Sequence, residues 1–169
     1  MKGEGIMQNY TSASTSVNKS RLPAVYSKAK ITADTVMDYG CGKYTDHIRS
    51  ALNGKRYLPY DPYNQSPQTN NEAVLAVREA MVNRKPVDIV CSNVLNVIDD
   101  DGVVRAIADE LEYIALRTGG KAFVTVYEGD RSGIGRQTGS DSFQRNAPVR
   151  SYLQYFNNAV IRNGVIIVG

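Results

Sequence analysis

"VMDYGCGKYTDHI", residues 36–48, decides the fold of this chain. A short apolar run ends in Asp38, two glycines follow at 40 and 42, and the residues after them read as the start of a helix. A strand that breaks on glycines into a helix lets main chain pass close to a ligand, because glycine has no Cβ to obstruct the approach. The question is which ligand this glycine loop suits.

Three readings compete. A Walker loop needs Gly-Lys followed at once by Ser or Thr, but Tyr44 follows Lys43 and no glycine stands five residues before Gly42. A dinucleotide fingerprint needs a third glycine where this chain has Thr45, which weakens that reading. The acid-x-G-x-G pattern of Asp38, Gly40 and Gly42 fits best, and it suits an amino-acid-plus-nucleoside cofactor without a pyrophosphate. A second acid, Asp61 in "YLPYDPYN", stands 23 residues after Asp38. Its carboxylate can accept from both hydroxyls of a ribose, or it can shape an Asp-Pro turn.

Working outward, residues 1–16 read as a flexible polar tail and 17–169 as one domain. Pattern and punctuation predict a helix over 22–31, a strand over 35–39, a helix over 45–52 and a strand over 56–60. "QSPQTNN" reads as a loop, followed by a helix over 72–83, a strand over 87–92, and a helix from the acids 99–101 to about 117. A strand over 122–127, a long polar loop over 128–149 and a helix over 149–157 come next. Asn163-Gly164 then marks a hairpin between two short β runs. Apolar strands alternating with helices predict an α/β fold with a mostly parallel sheet covered on both faces and a C-terminal antiparallel hairpin.

Composition narrows the function classes. With 42% hydrophobic and 22% charged residues the chain is of ordinary globular make-up, and no apolar stretch reaches the length of a membrane span. The first residues lack the apolar core of a secretory signal, and two cysteines, Cys41 and Cys91, do not make a disulfide scaffold, so a cytoplasmic setting is expected. A single histidine gives no metal constellation. The net charge of +3 is too small to argue for nucleic acid, yet residues 131–150 carry four arginines against Asp141 alone.

On "VMDYGCGKYTD", "YLPYDPY", "DIVCSNVLNVIDDD" and "GGKAFVTVY", in that order, residues 20–169 resemble the class I S-adenosylmethionine-dependent methyltransferases, and small bacterial and phage-type domains in particular. The resemblance implies a three-layer Rossmann-like sandwich and S-adenosyl-L-methionine as cofactor. It places Asp38, Gly40, Cys41 and Gly42 along the methionine and ribose end, and Asp46 at the amino group. Asp61 falls on the ribose, Pro62 and Tyr63 beside the adenine, and Ser92, Asn93, Val94 and Leu95 on the floor between cofactor and acceptor.

The chain also departs from the family. Only 26 residues separate Asp61 from Asp88, so the sheet is expected to lack one strand of the usual seven, and the means of recognising adenine is open. "SNVL" stands where amino-directed DNA methyltransferases carry their Pro-Pro motif, which argues against base N-methylation of the usual kind.

Tyr127 and Glu128 are candidates for a general base, with Asp130 beside them. In the glycine-punctuated loop, Arg131, Arg136, Phe143, Gln144 and Arg145 are candidates for substrate contact. The expected acceptor is a small molecule or a nucleic acid, with a protein partner or a second copy able to supply what a compact core lacks. The second function carried is a cofactor-binding regulatory or inhibitory protein without turnover. A dinucleotide oxidoreductase stands third.

Overall fold

The structure, a computed structural model, describes residues 19–139 and 142–169; the tail expected over 1–16 lies outside the described residues. Four parallel strands form first: β1 (Thr35–Tyr39), β2 (Arg56–Tyr60), β3 (Val87–Ser92) and β4 (Ala122–Thr125). The hairpin β7 (Ala159–Arg162) and β8 (Val165–Val168) adds antiparallel strands at one edge, giving the order β2-β1-β3-β4-β8-β7. The main sheet therefore has six strands, mostly parallel. A separate antiparallel pair, β5 (Arg136–Gln137) and β6 (Phe143–Gln144), lies within the segment expected to be a plain loop.

Period-two alternation sorts the strand residues onto two cores. Met37, Leu58, Ile89, Cys91 and Val124 face one side, under α3 (Pro67–Asn83) and α4 (Asp101–Thr118). Val36, Val90, Phe123 and Val165 face the other, where α1 (Val25–Lys28) contributes Val25 and the residue after α2 (Asp46–Ala51), Leu52, packs at the margin. One face is thus covered by two long helices and the other by two very short ones. Pro59 sits inside β2 opposite Asp38, which is tolerated because β2 is an edge strand and needs its ladder bonds on one side only.

Several element boundaries differ from the sequence reading. The first helix is four residues long, Val25–Lys28, instead of spanning 22–31. Helix α3 starts at Pro67, five residues before the expected start, because Ser66 caps it by accepting from the Thr69 N–H at 3.1 Å and Pro67 occupies the first turn. Helix α4 starts at Asp101, since Asp100 accepts from the Gly102 and Val103 N–H groups and serves as its cap. Strand β4 stops at Thr125, which leaves Val126 and Tyr127 outside it in the irregular segment that follows. Residues Val149–Tyr155 are wound as a 3-10 helix instead of the expected α-helix. Asn163 and Gly164 both take positive φ (53° and 74°), as the two-residue hairpin turn demands.

The fold's most buried acid on the thin face is Asp88, 2% exposed. One carboxylate oxygen accepts from the Thr32 and Ala33 N–H groups at 2.8 and 2.9 Å, and the other from the Lys121 N–H at 3.0 Å. Three main-chain donors from the approach to β1 and the start of β4 thereby converge on β3. Asp88→Ala leaves the buried Ala33 N–H unpaired, at about 1–3 kcal/mol, and strips their partner from the part-buried N–H groups of Thr32 and Lys121. The variant is expected to unfold at clearly lower urea concentration; an unchanged midpoint would show that this carboxylate carries no weight.

Candidate functional site

The main cleft opens at the C-terminal ends of β1, β2 and β3, where the chain crosses from β2 on one side of β1 to β3 on the other. In open α/β sheets such a switch of direction leaves a crevice between diverging loops. Its volume is about 530 Å³, within the usual range for a small-molecule site.

The glycine loop is fastened to the end of β2. The Gly40 and Cys41 N–H groups both donate to the Tyr60 carbonyl at 2.7 and 3.2 Å, and the Gly42 N–H donates to Asp61 Oδ2 at 2.9 Å. Gln65 Nε2 donates in turn to the Gly42 carbonyl at 2.7 Å. Three successive N–H groups that could have cradled a phosphate are therefore spent on protein oxygens. What the loop offers the cleft is close approach: Gly40 has φ 79°, and a Cβ there would lie 2.4 Å from Val94 Cγ2.

Asp61 is 5% exposed and closes the turn as well as the loop. Its Oδ1 accepts from the Tyr63 and Asn64 N–H groups at 2.9 and 3.1 Å, and its Oδ2 from Asn64 Nδ2 at 3.1 Å besides Gly42. Four donors use the lone-pair directions a carboxylate has. The side chain stands in the cleft wall, and a ribose would have to take over bonds that the protein now makes.

Asp38 lies deeper, on the thin face of the sheet. Tyr57 donates its hydroxyl to Asp38 Oδ2, and the Tyr26 hydroxyl is buried against the same carboxyl outside good hydrogen-bonding geometry. Burial is the dominant effect and lifts the carboxyl to about 6, against the lowering by the tyrosines. Burial likewise raises both thiols, Cys41 and Cys91, so neither is an activated nucleophile.

The residues singled out in the sequence divide into three groups. Asp38, Gly40, Cys41, Gly42, Asp61, Pro62, Tyr63, Ser92, Asn93, Val94, Tyr127 and Gln144 all line the main cleft. Arg136 and Phe143 line a second cavity of about 380 Å³, which shares Val97, Tyr127 and Gln144 with the first. Asp46, Leu95, Glu128, Arg131 and Arg145 line neither cavity. Asp46 is exposed in the first turn of α2, and it is the next residue, His47, that reaches the cleft. Leu95 is fully buried in the core.

Glu128 is a poor base where it stands. Its Oε2 accepts from the Val149 N–H at 2.7 Å and its Oε1 from Arg131 at 2.8 Å, and these bonds hold it below the usual carboxylate range. Arg145 is a clamp: its guanidinium donates to the Ile98 and Asp99 carbonyls, to Asp101 Oδ1 at 2.9 Å and to the Tyr155 hydroxyl at 3.1 Å. Those bonds tie the β5–β6 segment to the start of α4. Two glycines of this segment serve close packing: a Cβ on Gly129 would meet Asn146 Oδ1 at 1.9 Å and one on Gly135 would meet the Phe143 ring at 2.3 Å.

Two further cleft residues carry buried polar atoms without a partner. Asn96 is 2% exposed, and His47 has both ring nitrogens buried; the Asn96 Oδ1 and both imidazole nitrogens lack a hydrogen-bond partner among the described residues. Asn96 was legible as the one amide inside the apolar run "VLNVI". His47 reads in the sequence as a surface or cofactor-facing residue of the helix after the glycine loop, and it lines the cleft. Among the described residues no His, Cys, Asp and Glu group is placed to hold a metal ion, and no helix is long and apolar enough to cross a membrane. No family model, curated protein or solved structure matches the chain.

Two outcomes test this geometry. Gly40→Ala combines a left-handed backbone, costing about 1–2 kcal/mol for a residue with a Cβ, with the contact to Val94. Its thermal midpoint is expected to drop, and Val94→Ala in the same chain should restore part of the loss, whereas strict additivity would show that the two side chains do not collide. For Asp38 the native carboxyl holds its proton to higher pH than the unfolded chain, so its contribution is full below about pH 4 and is lost as pH rises through about 6. Asp38→Asn removes that titration. The variant should gain on wild type by about 2 kcal/mol in urea unfolding between about pH 4 and pH 7. A constant difference across that range would refute the raised carboxyl.

Proposed function

We propose that this chain is an S-adenosylmethionine-dependent methyltransferase built on a Rossmann-like core that lacks one outer strand. The observation that carries the reading is the fastening of Gly40, Cys41 and Gly42 to Tyr60 and Asp61, which leaves a glycine loop shaped for close approach and stripped of phosphate-cradling N–H groups. A nicotinamide or flavin dinucleotide needs such donors for its pyrophosphate. A cofactor joining an amino acid to a nucleoside does not.

Other features support the same assignment. The cleft lies at the switch between β1 and β3, and its volume suits a ligand of this size. His47, whose ring nitrogens lack a partner among the described residues, lines the cleft beside the glycine loop that would receive the amino-acid end. The segment from 62 to 86 holds α3 and no strand, in keeping with the shortened core; Pro62, Tyr63 and Asn64 are the residues left to flank the adenine. When bound, the sulfonium supplies an electrophilic methyl group. The chain's part is to orient it and to exclude water, which can account for much of the acceleration of an in-line displacement.

A second reading has its own observation. Glu128 is bonded to the Val149 N–H and to Arg131 and lines neither cavity, as expected of a cofactor-binding regulatory protein that does not turn over.

Calorimetric titration with S-adenosylmethionine and S-adenosylhomocysteine separates these from the alternatives. Micromolar binding of both, none of nicotinamide dinucleotides, and a loss of about tenfold or more in Asp61→Asn are expected. Absence of binding by folded, ligand-free protein would sink both readings. Binding without transfer to any acceptor would favour the regulatory one.

A further inference from the structure

The second cavity is walled by residues that the fold holds still. In the β5–β6 pair Arg136 lies directly opposite Gln144, and Gln137 opposite Phe143. The Gln144 side chain is fixed from both ends: its Nε2 donates to the Tyr127 carbonyl at 2.9 Å, and its Oε1 accepts from Asn96 Nδ2 at 3.1 Å. The approach to β5 is tied to the stretch after β6, since the Gly133 N–H donates to the Asn146 carbonyl at 2.8 Å and Asn146 Nδ2 to the Ile134 carbonyl at 3.1 Å. Beyond β5 the Thr138 N–H donates to the Ser142 carbonyl at 2.9 Å. Side chains carried on such a frame lose less freedom when a ligand arrives, which lowers the cost of binding it.

Two of the lining residues carry opposite charge, Arg136 and Asp130, and both are open to solvent. Among the arginines of the segment 131–150, Arg136 alone lines either cavity; Arg131 is bonded to Glu128, and Arg145 to its own set of acceptors. Asp130 Oδ1 accepts from the Ser132 N–H at 2.9 Å. Bonds from Ser132 chiefly, with the charge of Arg136 in addition, hold that carboxyl below its ordinary range. The two charges are thus within electrostatic reach of each other, yet no ion pair joins them. The rest of the wall offers flat apolar surface: the Phe143 ring packs on Gly135, and Tyr127, 64% exposed, borders this cavity and the main cleft together.

A simple anion is drawn by Arg136 and repelled by Asp130, and for a simple cation the signs reverse. A ligand that carries both charges gains from both residues. An α-amino acid bears the two on one carbon. Its carboxylate matches the planar fork of a guanidinium, and its ammonium supplies donors to a carboxylate. The side chain then has the Tyr127 wall to follow, and Val97, Tyr127 and Gln144 are where that wall meets the main cleft.

We propose that the second cavity is the acceptor's subsite and takes a free α-amino acid, its carboxylate on Arg136, its ammonium on Asp130 and its side chain past Tyr127 into the main cleft. The inference rests on the methyltransferase reading and adds the acceptor class to it. In the transfer a lone pair on a side-chain heteroatom forms the new bond to the methyl carbon. The carbon–sulfur bond breaks with its electron pair passing to sulfur, a thioether leaves, and the heteroatom's proton passes to water. Arg136 and Asp130 hold the far end of the acceptor and take no part in these bond changes.

The test uses the full chain saturated with S-adenosylhomocysteine and titrated calorimetrically with the standard amino acids. At least one is expected to bind without displacing the S-adenosylhomocysteine. The tightest is then compared with its α-carboxamide and with the analogue that lacks the α-amino group. Each analogue is expected to bind the wild-type chain about fivefold or more weakly than the parent. In Arg136→Gln the difference made by the carboxamide should vanish and that made by the amino group should remain; in Asp130→Asn the reverse. The wild-type comparison of parent with analogues stands even if a variant does not fold. Equal affinity for parent and analogues, or no amino acid bound by protein that holds S-adenosylhomocysteine, overturns the inference alone. So does an amino acid that binds only by displacing S-adenosylhomocysteine, which would give the two charges to the cofactor. Failure to hold S-adenosylhomocysteine overturns the reading beneath it as well.

Discussion

The bond between the Gly42 N–H and Asp61 Oδ2, with the paired donation of Gly40 and Cys41 to the Tyr60 carbonyl, is the constraint on which the rest of the site depends. It joins the ends of β1 and β2 beyond the last ladder pair, Tyr39 with Tyr60. It also fixes where the glycine loop turns, and so brings Gly40 against Val94 at the end of β3. Asp61 is held in its own right by the turn at Tyr63 and Asn64, and its main chain exchanges hydrogen bonds with the Asn70 side chain on α3. One carboxylate thus couples loop, turn and helix. The opening of the cleft is set by that coupling and not by any single element.

The thin face of the sheet carries the polar burden of the fold. Asp38 and Asp88 are both buried there, two residues apart in the ladder register, since Asp38 pairs with Val90 and Val36 with Asp88. They resolve the same problem differently. Asp88 is surrounded by main-chain N–H groups, which satisfy a charged carboxylate. Asp38 has a tyrosine hydroxyl and apolar surroundings, and its pKa rises accordingly. The opposite face, under α3 and α4, holds the larger apolar cluster. Stability and site chemistry are in this sense divided between the two sides of one sheet.

The β5–β6 segment completes the cleft from above. Arg145 holds it to Ile98, Asp99, Asp101 and Tyr155, and its own N–H donates to the Asn96 carbonyl at 2.9 Å. The Asn96–Gln144–Tyr127 relay therefore runs between parts that a second set of bonds already fixes. Arginine suits this post because its planar fork can reach several acceptors at once.

How much of this was legible depends on the range of the interaction concerned. The sequence by itself determined the alternation of strands and helices, the parallel character of the sheet, the C-terminal hairpin and the place of the glycine loop, because period, glycines and Asn-Gly act over a few residues. It also carried the cap of α3, in Ser66-Pro67, although a polar run disguised it. Only the tertiary structure decided that Asp61 is a fastening of the loop, that Glu128 and Arg145 are engaged by protein partners, and that Asn96 and Gln144 meet across 48 positions. Those outcomes turn on which donors surround a side chain after folding. A carboxylate, a guanidinium and an amide have the same inventory of atoms wherever they stand, and the partners that give them a role come from strands far apart in the chain.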